Sequence, residues 1–278
     1  MILALYLLAQ VMTLSAGAPI FPSRYGAIAK CKVVDTAMYE VSYKIVAKLY
    51  TDPKYRHLGY TDVQALLIGK RISATYSKDI LRLREIADEE RKRGAELITN
   101  CDGITFPEDI FKGYPSSKEL TSSYRLFAGA GYGRYTEPRP NFGWEILPET
   151  KYILGYKCQK AQGEFRGRKY IAWFAPSIPI SDGPWKFCGL PGLILAVEDT
   201  DKYFVFTCID IKNNQSQPIR FWTYPHIKCS REKLRATIQR MHKQPIVFCE
   251  QATGAQIYMG NTNKHRDFSF EWLWLEEE

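Results

Sequence analysis

One stretch of this chain leaves its backbone few choices: Gly183 to Val197, Gly-Pro-Trp-Lys-Phe-Cys-Gly-Leu-Pro-Gly-Leu-Ile-Leu-Ala-Val. Within it, Leu190-Pro191-Gly192-Leu193 sets proline where φ is fixed negative and glycine where φ must be positive, which predicts a type II turn. The apolar run Leu193 to Val197 then reads as a short strand buried on both faces. Glu198 to Asp201 makes a turn and Tyr203 to Ile211 is a second β-rich run, so the two runs predict a hairpin. Asp182-Gly183-Pro184 is another turn, placed before the motif. The stretch is two tight turns delivering one core strand.

Gly189-Leu190-Pro191-Gly192-Leu193-Ile194 spells the motif that names the GLPGLI family, and the chain resembles that family around it. Gly167-Arg168, Ala172-Trp173-Phe174, Ile178-Pro179-Ile180 and Gly183-Pro184 agree, as do Leu67-Ile68-Gly69, Ser73 and Tyr76-Ser77 upstream. The resemblance runs over residues 35 to 250 or so. It implies an exported protein of a Bacteroidetes-type Gram-negative envelope, in the periplasm or on the periplasmic face of the outer membrane. It implies an outer-membrane TonB-dependent transporter system as partner, and no established biochemical activity. The end of the chain departs from the family. Phe268 to Leu275 is unusually apolar before three glutamates, where an Asn-Pro-Ile-Glu-like segment is more usual.

The residues themselves also point to export. Ile2 to Leu14 is an apolar core and Ser15-Ala16-Gly17 are small, so residues 1–17 read as a signal peptide, leaving 18–278 as one domain. A single transmembrane anchor is the alternative, but Gln10 and Thr13 interrupt a run already short for a span. Seven cysteines without a C-x-x-C pair, in an exported chain, suggest disulfides with at least one thiol left over. Cys158 and Cys188 are the preferred pair because both flank the same expected sheet; the alternative is that they are small buried hydrophobes. The net charge of +8 permits attraction to an anionic surface without specifying one. Scattered basic residues with no accompanying motif argue against nucleic acid.

Taken in order, the chain predicts an α+β domain: a curved antiparallel β-sheet, half-barrel-like, with two helices. Val41, Tyr43, Ile45, Ala47 and Leu49 alternate with polar neighbours and read as a strand with one wet face. Ser77 caps a helix from Lys78, whose Asp88-to-Arg93 charges read as a solvated face. Gly129, Gly131 and Gly133 invite a phosphate-loop reading, but no helix pattern follows, and glycines bending a strand are the better account. Phe165 to Arg168 reads as a tight hairpin turn, and Ser230 caps a second helix with Leu234, Ile238 and Met241 in register.

Chemistry is sought and mostly not found. Ser230-Arg231-Glu232-Lys233 fits the S-x-x-K serine acyl-enzyme pattern, but the companion boxes are misordered or missing, and an N-cap explains the serine. The histidines at 57, 226, 242 and 265 share no metal-ligand spacing, and no residue is singled out as catalytic, cofactor-binding or metal-binding. Leu190 to Ile194 could line an apolar groove or form a turn and core strand; turn chemistry accounts for every residue and is preferred. The reading is a non-enzymatic envelope protein for an apolar ligand, peptide or partner, with a hydrolase or a purely structural protein as alternatives. Mass spectrometry of the native protein is expected to show residues 1–17 removed; an intact amino terminus in a cytosolic fraction sinks the export reading.

Overall fold

The computed structural model describes residues 31–48, 59–94, 105–126, 131–213, 216–223, 226–244, 247–248, 250–251 and 275–276. The expected signal peptide and most of the apolar end 268–275 lie outside the described residues. The axis of the fold is β1 (Cys31–Lys48). Its Val41, Tyr43, Ile45 and Ala47 are fully buried while Lys44 and Val46 are exposed, the alternation expected from the sequence. On one side β1 pairs with β2 (Gly59–Gly69), which opens a meander through β3 (Ser73–Ser77), β4 (Glu108–Lys112), β5 (Glu119–Arg125) and β6 (Tyr132–Pro138). A second meander runs through β7 (Glu145–Ile153), β8 (Tyr156–Phe165), β9 (Arg168–Ala175), β10 (Leu193–Asp199) and β11 (Phe204–Asn213), and β11 pairs with the other side of β1. The hairpin expected after the motif is β10–β11. β12 (Pro218–Trp222) pairs with the start of β1, and β13 (His226–Lys228) lies parallel to β6, the one parallel pairing among the described strands.

The result is one open, mostly antiparallel sheet with two helices, α1 (Lys78–Lys92) and α2 (Arg231–Lys243). Both helices start at the expected serine. Ser77 Oγ accepts from the Ile80 amide at 3.4 Å, and Ser230 Oγ accepts from the Lys233 amide at 3.3 Å. α1 is pinned to the sheet by Arg84, whose buried guanidinium pairs with Asp109 of β4, itself paired with Arg125 of β5. α2 buries Leu234, Ile238 and Met241 against Tyr124 and Tyr135 of β5 and β6.

The sheet is curved, and the core shows it. β4 and β9 are six strand positions apart, about 29 Å in a flat sheet. Yet Ile110 of β4 and Ala172 of β9 belong to one hydrophobic core. The connection Pro176 to Gly192 fills the space between the two wings with Trp185, Phe187 and Leu190. A second, smaller core cluster gathers Val41, Tyr43, Leu193 and Leu195, with Ile178 and Ile180 packed on it.

Two glycines behave differently from their sequence reading. Gly133 sits in a continuous β5–β6 register and clears a path for α2, since a Cβ there would sit 2.0 Å from Leu234 Cδ1. Gly192 does not adopt the positive φ that a type II turn requires, so that expectation is corrected. The motif bends instead, and the left-handed glycine is Gly189, at φ 96°. Gly192 is needed for closeness: a Cβ would lie 2.3 Å from the carbonyl oxygen of Ala175, the last residue of β9. A backbone oxygen cannot move aside as a side-chain tip can. Gly192→Ala is therefore expected to lose on the order of 3 kcal/mol in denaturant melts, nearly as much as Gly192→Val. An Ala variant melting like the wild type would falsify the close-approach account.

Candidate functional site

The residues the sequence singles out gather on one loop and its flanks. Within Pro176 to Gly192, Asp182 and Cys188 form an isolated antiparallel bridge, and the Phe187 amide donates to the Pro184 carbonyl at 3.0 Å. That turn puts Trp185 at φ 46°, a left-handed conformation that a bulky residue adopts only under constraint. The constraints are visible. The Trp185 amide donates to Gln64 Oε1 at 2.8 Å, and its indole Nε1 donates to Glu108 Oε2 at 2.7 Å. Lys112 of β4, fully buried, donates its ammonium to the Gly183 carbonyl at 2.6 Å and the Phe187 carbonyl at 3.3 Å, and pairs with Asp182. Gly183 packs so closely that a Cβ would meet Ile194 Cβ at 2.9 Å.

The turn delivers Lys186 into the interior, where it is 1% exposed. Its ammonium donates to Tyr135 OH and Glu137 Oε1, each at 2.7 Å, and to Glu276 Oε1. Glu276 accepts further from Arg166 at 2.9 Å and from Arg231 at 2.8 Å, while its carbonyl takes a bond from Arg235. Arg166 reaches this cluster from the two-residue turn between β8 and β9, the expected Phe165–Arg168 hairpin, where Arg166 and Gly167 both have positive φ. Burial raises the Glu276 carboxyl, but Lys186 and Arg166 outweigh it and hold the group at about 2. Burial likewise lowers the Lys186 ammonium, and Tyr135, Glu276, Glu108 and Glu137 outweigh that, raising it well above the ordinary lysine value.

Beside this network lies a cavity of about 90 Å³. Phe106, Trp185, Phe204 and Leu234 give it apolar walls; Glu108, Tyr124, Lys186 and Glu276 give it polar ones. The charges of Lys186 and Glu276 are spent on each other. Burial pushes the Glu108 carboxyl up despite Lys186 and the bonds from Ser122 and Trp185. The Tyr124 hydroxyl is buried and has no hydrogen-bond partner among the described residues. An unmatched hydroxyl facing a cavity costs free energy unless something occupies it.

The other expected residues play supporting parts. Phe174 and Leu190 are in the main core, Leu193 is in the second core cluster, and Trp173 carries the Lys151 ammonium 4.3 Å over its ring. Arg168 pairs with Asp199 at 2.9 Å and closes the β10–β11 end. Pro191 sits in the bend between Leu190 and Gly192. Cys158 and Cys188, the expected pair, are both free buried thiols in different surroundings. Cys158 packs among Val41, Leu195 and Cys208, whereas Cys188 Sγ lies 3.9 Å from the Pro140 carbonyl. They flank the sheet as expected but are not bonded; the small-hydrophobe alternative describes them. Among the described residues no cluster of three or more His, Cys, Asp or Glu could hold a metal. Glu108, Tyr124, Glu137, Lys186 and Glu276 were not foreseen as a site. One signal for it was present: a lysine inside Trp-Lys-Phe-Cys, an apolar context in which a buried cation requires carboxylate partners.

The network sets a pH dependence. Glu276 has a folded-state value of about 2, below its ordinary value. Its contribution is therefore complete above the unfolded carboxylate range and is lost as pH falls toward 2. Glu276→Gln is expected to cost on the order of 3 kcal/mol at neutral pH, with the gap to wild type closing on acidification below about 4.5. Paired denaturant melts across pH check this; a gap independent of pH overturns it.

Comparison with known proteins places the motif and little more. The family described as "Protein of unknown function (Porph_ging)" matches residues 162–196, which contain Gly167, Arg168, Trp173, Phe174, Gly183, Pro184 and the whole of Gly189 to Ile194. No curated protein matches. Crystal structures of PNGF-II in space groups P21 and C2 are similar at 13% and 12% identity, with TM-scores of 0.46 and 0.45. Each likeness covers 73% of this chain, which spans only 33% and 32% of those chains.

Proposed function

We propose that the chain is an exported cell-envelope protein of the GLPGLI type that binds a small, partly apolar ligand in the cavity beneath Trp185. The observation that carries the reading is the division of labour in that cavity. Lys186 and Arg166 neutralise Glu137 and Glu276, and Glu108 accepts from Ser122 and Trp185, while the Tyr124 hydroxyl lines the space with no partner among the described residues. Aromatic walls with a few convergent polar groups are what binding sites for small molecules are made of. The curved sheet fits a half-barrel that holds its ligand between the wings. By resemblance, an outer-membrane TonB-dependent transporter system is the partner that gives or takes the ligand.

A hydrolase is the second reading, and one observation favours it. Glu108 is pushed toward its protonated form and Glu276 is held ionised at the same cavity, the kind of split that separates a general acid from a base. Against it, both carboxylate oxygens of Glu276 are already occupied by Lys186, Arg166 and Arg231. Ser230, the other enzymatic candidate, uses its hydroxyl to cap α2. Binding is the stronger conclusion.

Protein purified from its native envelope is expected to carry a small molecule that mass spectrometry detects after denaturation, at about one per chain. Glu108→Ala and Tyr124→Phe are expected to lower its occupancy several-fold with the fold intact by circular dichroism. A wild type that elutes empty, together with turnover of ester or glycoside substrates abolished by Glu108→Gln, would replace binding with catalysis.

A further inference from the structure

The hairpin that ends the sheet has a tip built against the ordinary rules. β7 and β8 are joined by Leu154 and Gly155, both with positive φ, at 49° and 81°. This is the type I′ geometry, in which Asn-Gly or Asp-Gly is favoured and a leucine is strained. The leucine is not compensated by burial, because Leu154 is 50% exposed. Tyr152 before it is 73% exposed and Tyr156 after it is 36% exposed. The other exposed large apolar side chains among the described residues are single; here three lie within five positions. The other two-residue turn of this kind also carries an unfavoured residue, Arg166, and there its side chain is held in the Glu276 network.

We propose that the tip, Lys151 to Lys157, is a membrane-anchoring wedge that sets Tyr152, Leu154 and Tyr156 into the interface of an anionic lipid bilayer. Charge favours this occupant. Lys151 and Lys157 flank the three apolar side chains, and no acidic residue occurs from Thr150 to Gly163. The nearest acid before them, Glu149, is paired with Lys160 at 3.0 Å. The Lys151 ammonium leans over Trp173 but its residue stays exposed, and the Lys157 residue is exposed as well. The chain as a whole carries +8, so approach to an anionic leaflet is favourable. Tyrosines with one apolar and one polar end, lysines behind them and leucine at the point match the order of a bilayer interface from headgroup to acyl chain.

A protein docking here is the weaker case. Three side chains supply a fraction of the about 800 Å² per partner that a stable interface needs. Pairing along the edge of β7 is obstructed as well. The strand carries Pro148, its register breaks between Ile146 and Thr150, and Glu145, Glu149 and Lys151 are exposed along it. Those are the devices that keep an edge strand from accepting another.

Vesicle sedimentation of the full chain tests the proposal, with phosphatidylcholine vesicles and with phosphatidylcholine–phosphatidylglycerol vesicles. Binding is expected on the anionic vesicles only, weakening as salt is added. Leu154→Asn places the favoured Asn-Gly pair in the turn, so its thermal midpoint should be unchanged or raised while vesicle affinity falls at least about tenfold. Tyr152→Ser should act in the same direction on affinity. The proposal is overturned by a wild type that ignores anionic vesicles, or by Leu154→Asn binding as tightly as wild type. Tip-dependent capture of an envelope protein without lipid affinity overturns it equally.

Discussion

Two lysine ammonium groups taken out of water set the terms for the rest of this structure. An unpaired buried cation is prohibitively costly, so each must be surrounded. Lys112 is surrounded by the loop: the carbonyls of Gly183 and Phe187 and the carboxylate of Asp182. Lys186 is surrounded by the sheet and by residues late in the chain: Tyr135 and Glu137 of β6, and Glu276. One lysine reaches from the sheet into the loop, the other from the loop into the sheet. Together they fix the loop between wings that hydrogen bonding alone leaves apart, since the described sheet is open and its two meanders meet only at β1.

That arrangement explains why the connection from β9 to β10 is so much longer than the usual hairpin loop of two to five residues. A sheet must cover its apolar residues with a second layer. Ile178 and Ile180 pack on the cluster around Tyr43; Trp185, Phe187 and Leu190 pack in the main core. The connection thus does the work of a second layer over both clusters. The small residues of the motif follow from this. Gly192 returns the chain to β10 hard against the Ala175 carbonyl, and Gly183 lies hard against Ile194. The tight passage matters more to the motif than the turn type does.

Much of this was legible in the sequence where a local rule decides. The alternation around Val41 to Ala47, the caps at Ser77 and Ser230 and the Phe165–Arg168 turn are short-range features, and the structure has them all. The reading failed where one local rule was preferred over a contact from far away. Pro191-Gly192 satisfies the type II signature, but an oxygen of β9 made the glycine necessary for another reason. Gly133 lies in a glycine-rich run, yet its role comes from Leu234, about a hundred residues later in the chain. The candidate site was hidden for the same reason. Glu108, Tyr124, Glu137, Lys186 and Glu276 share no spacing and converge only once the sheet has curled.

The curl also decides where the molecule can tolerate strain. Trp185 holds a left-handed backbone because an amide bond to Gln64, an indole bond to Glu108 and the lysine-held carbonyls on either side over-determine it. Arg166 does the same because its guanidinium is fixed to Glu137 and Glu276. In both cases a residue the turn disfavours is kept by what its side chain reaches, and both side chains reach the same buried network or the cavity beside it. Relaxing the Trp185 turn would withdraw a wall from the cavity, and relaxing the Arg166 turn would withdraw a charge from the network beside it. A core that merely needed filling would have closed over Tyr124 with a partner for its hydroxyl, at lower cost. The chain instead holds two strained turns around a hydroxyl that has no partner among the described residues.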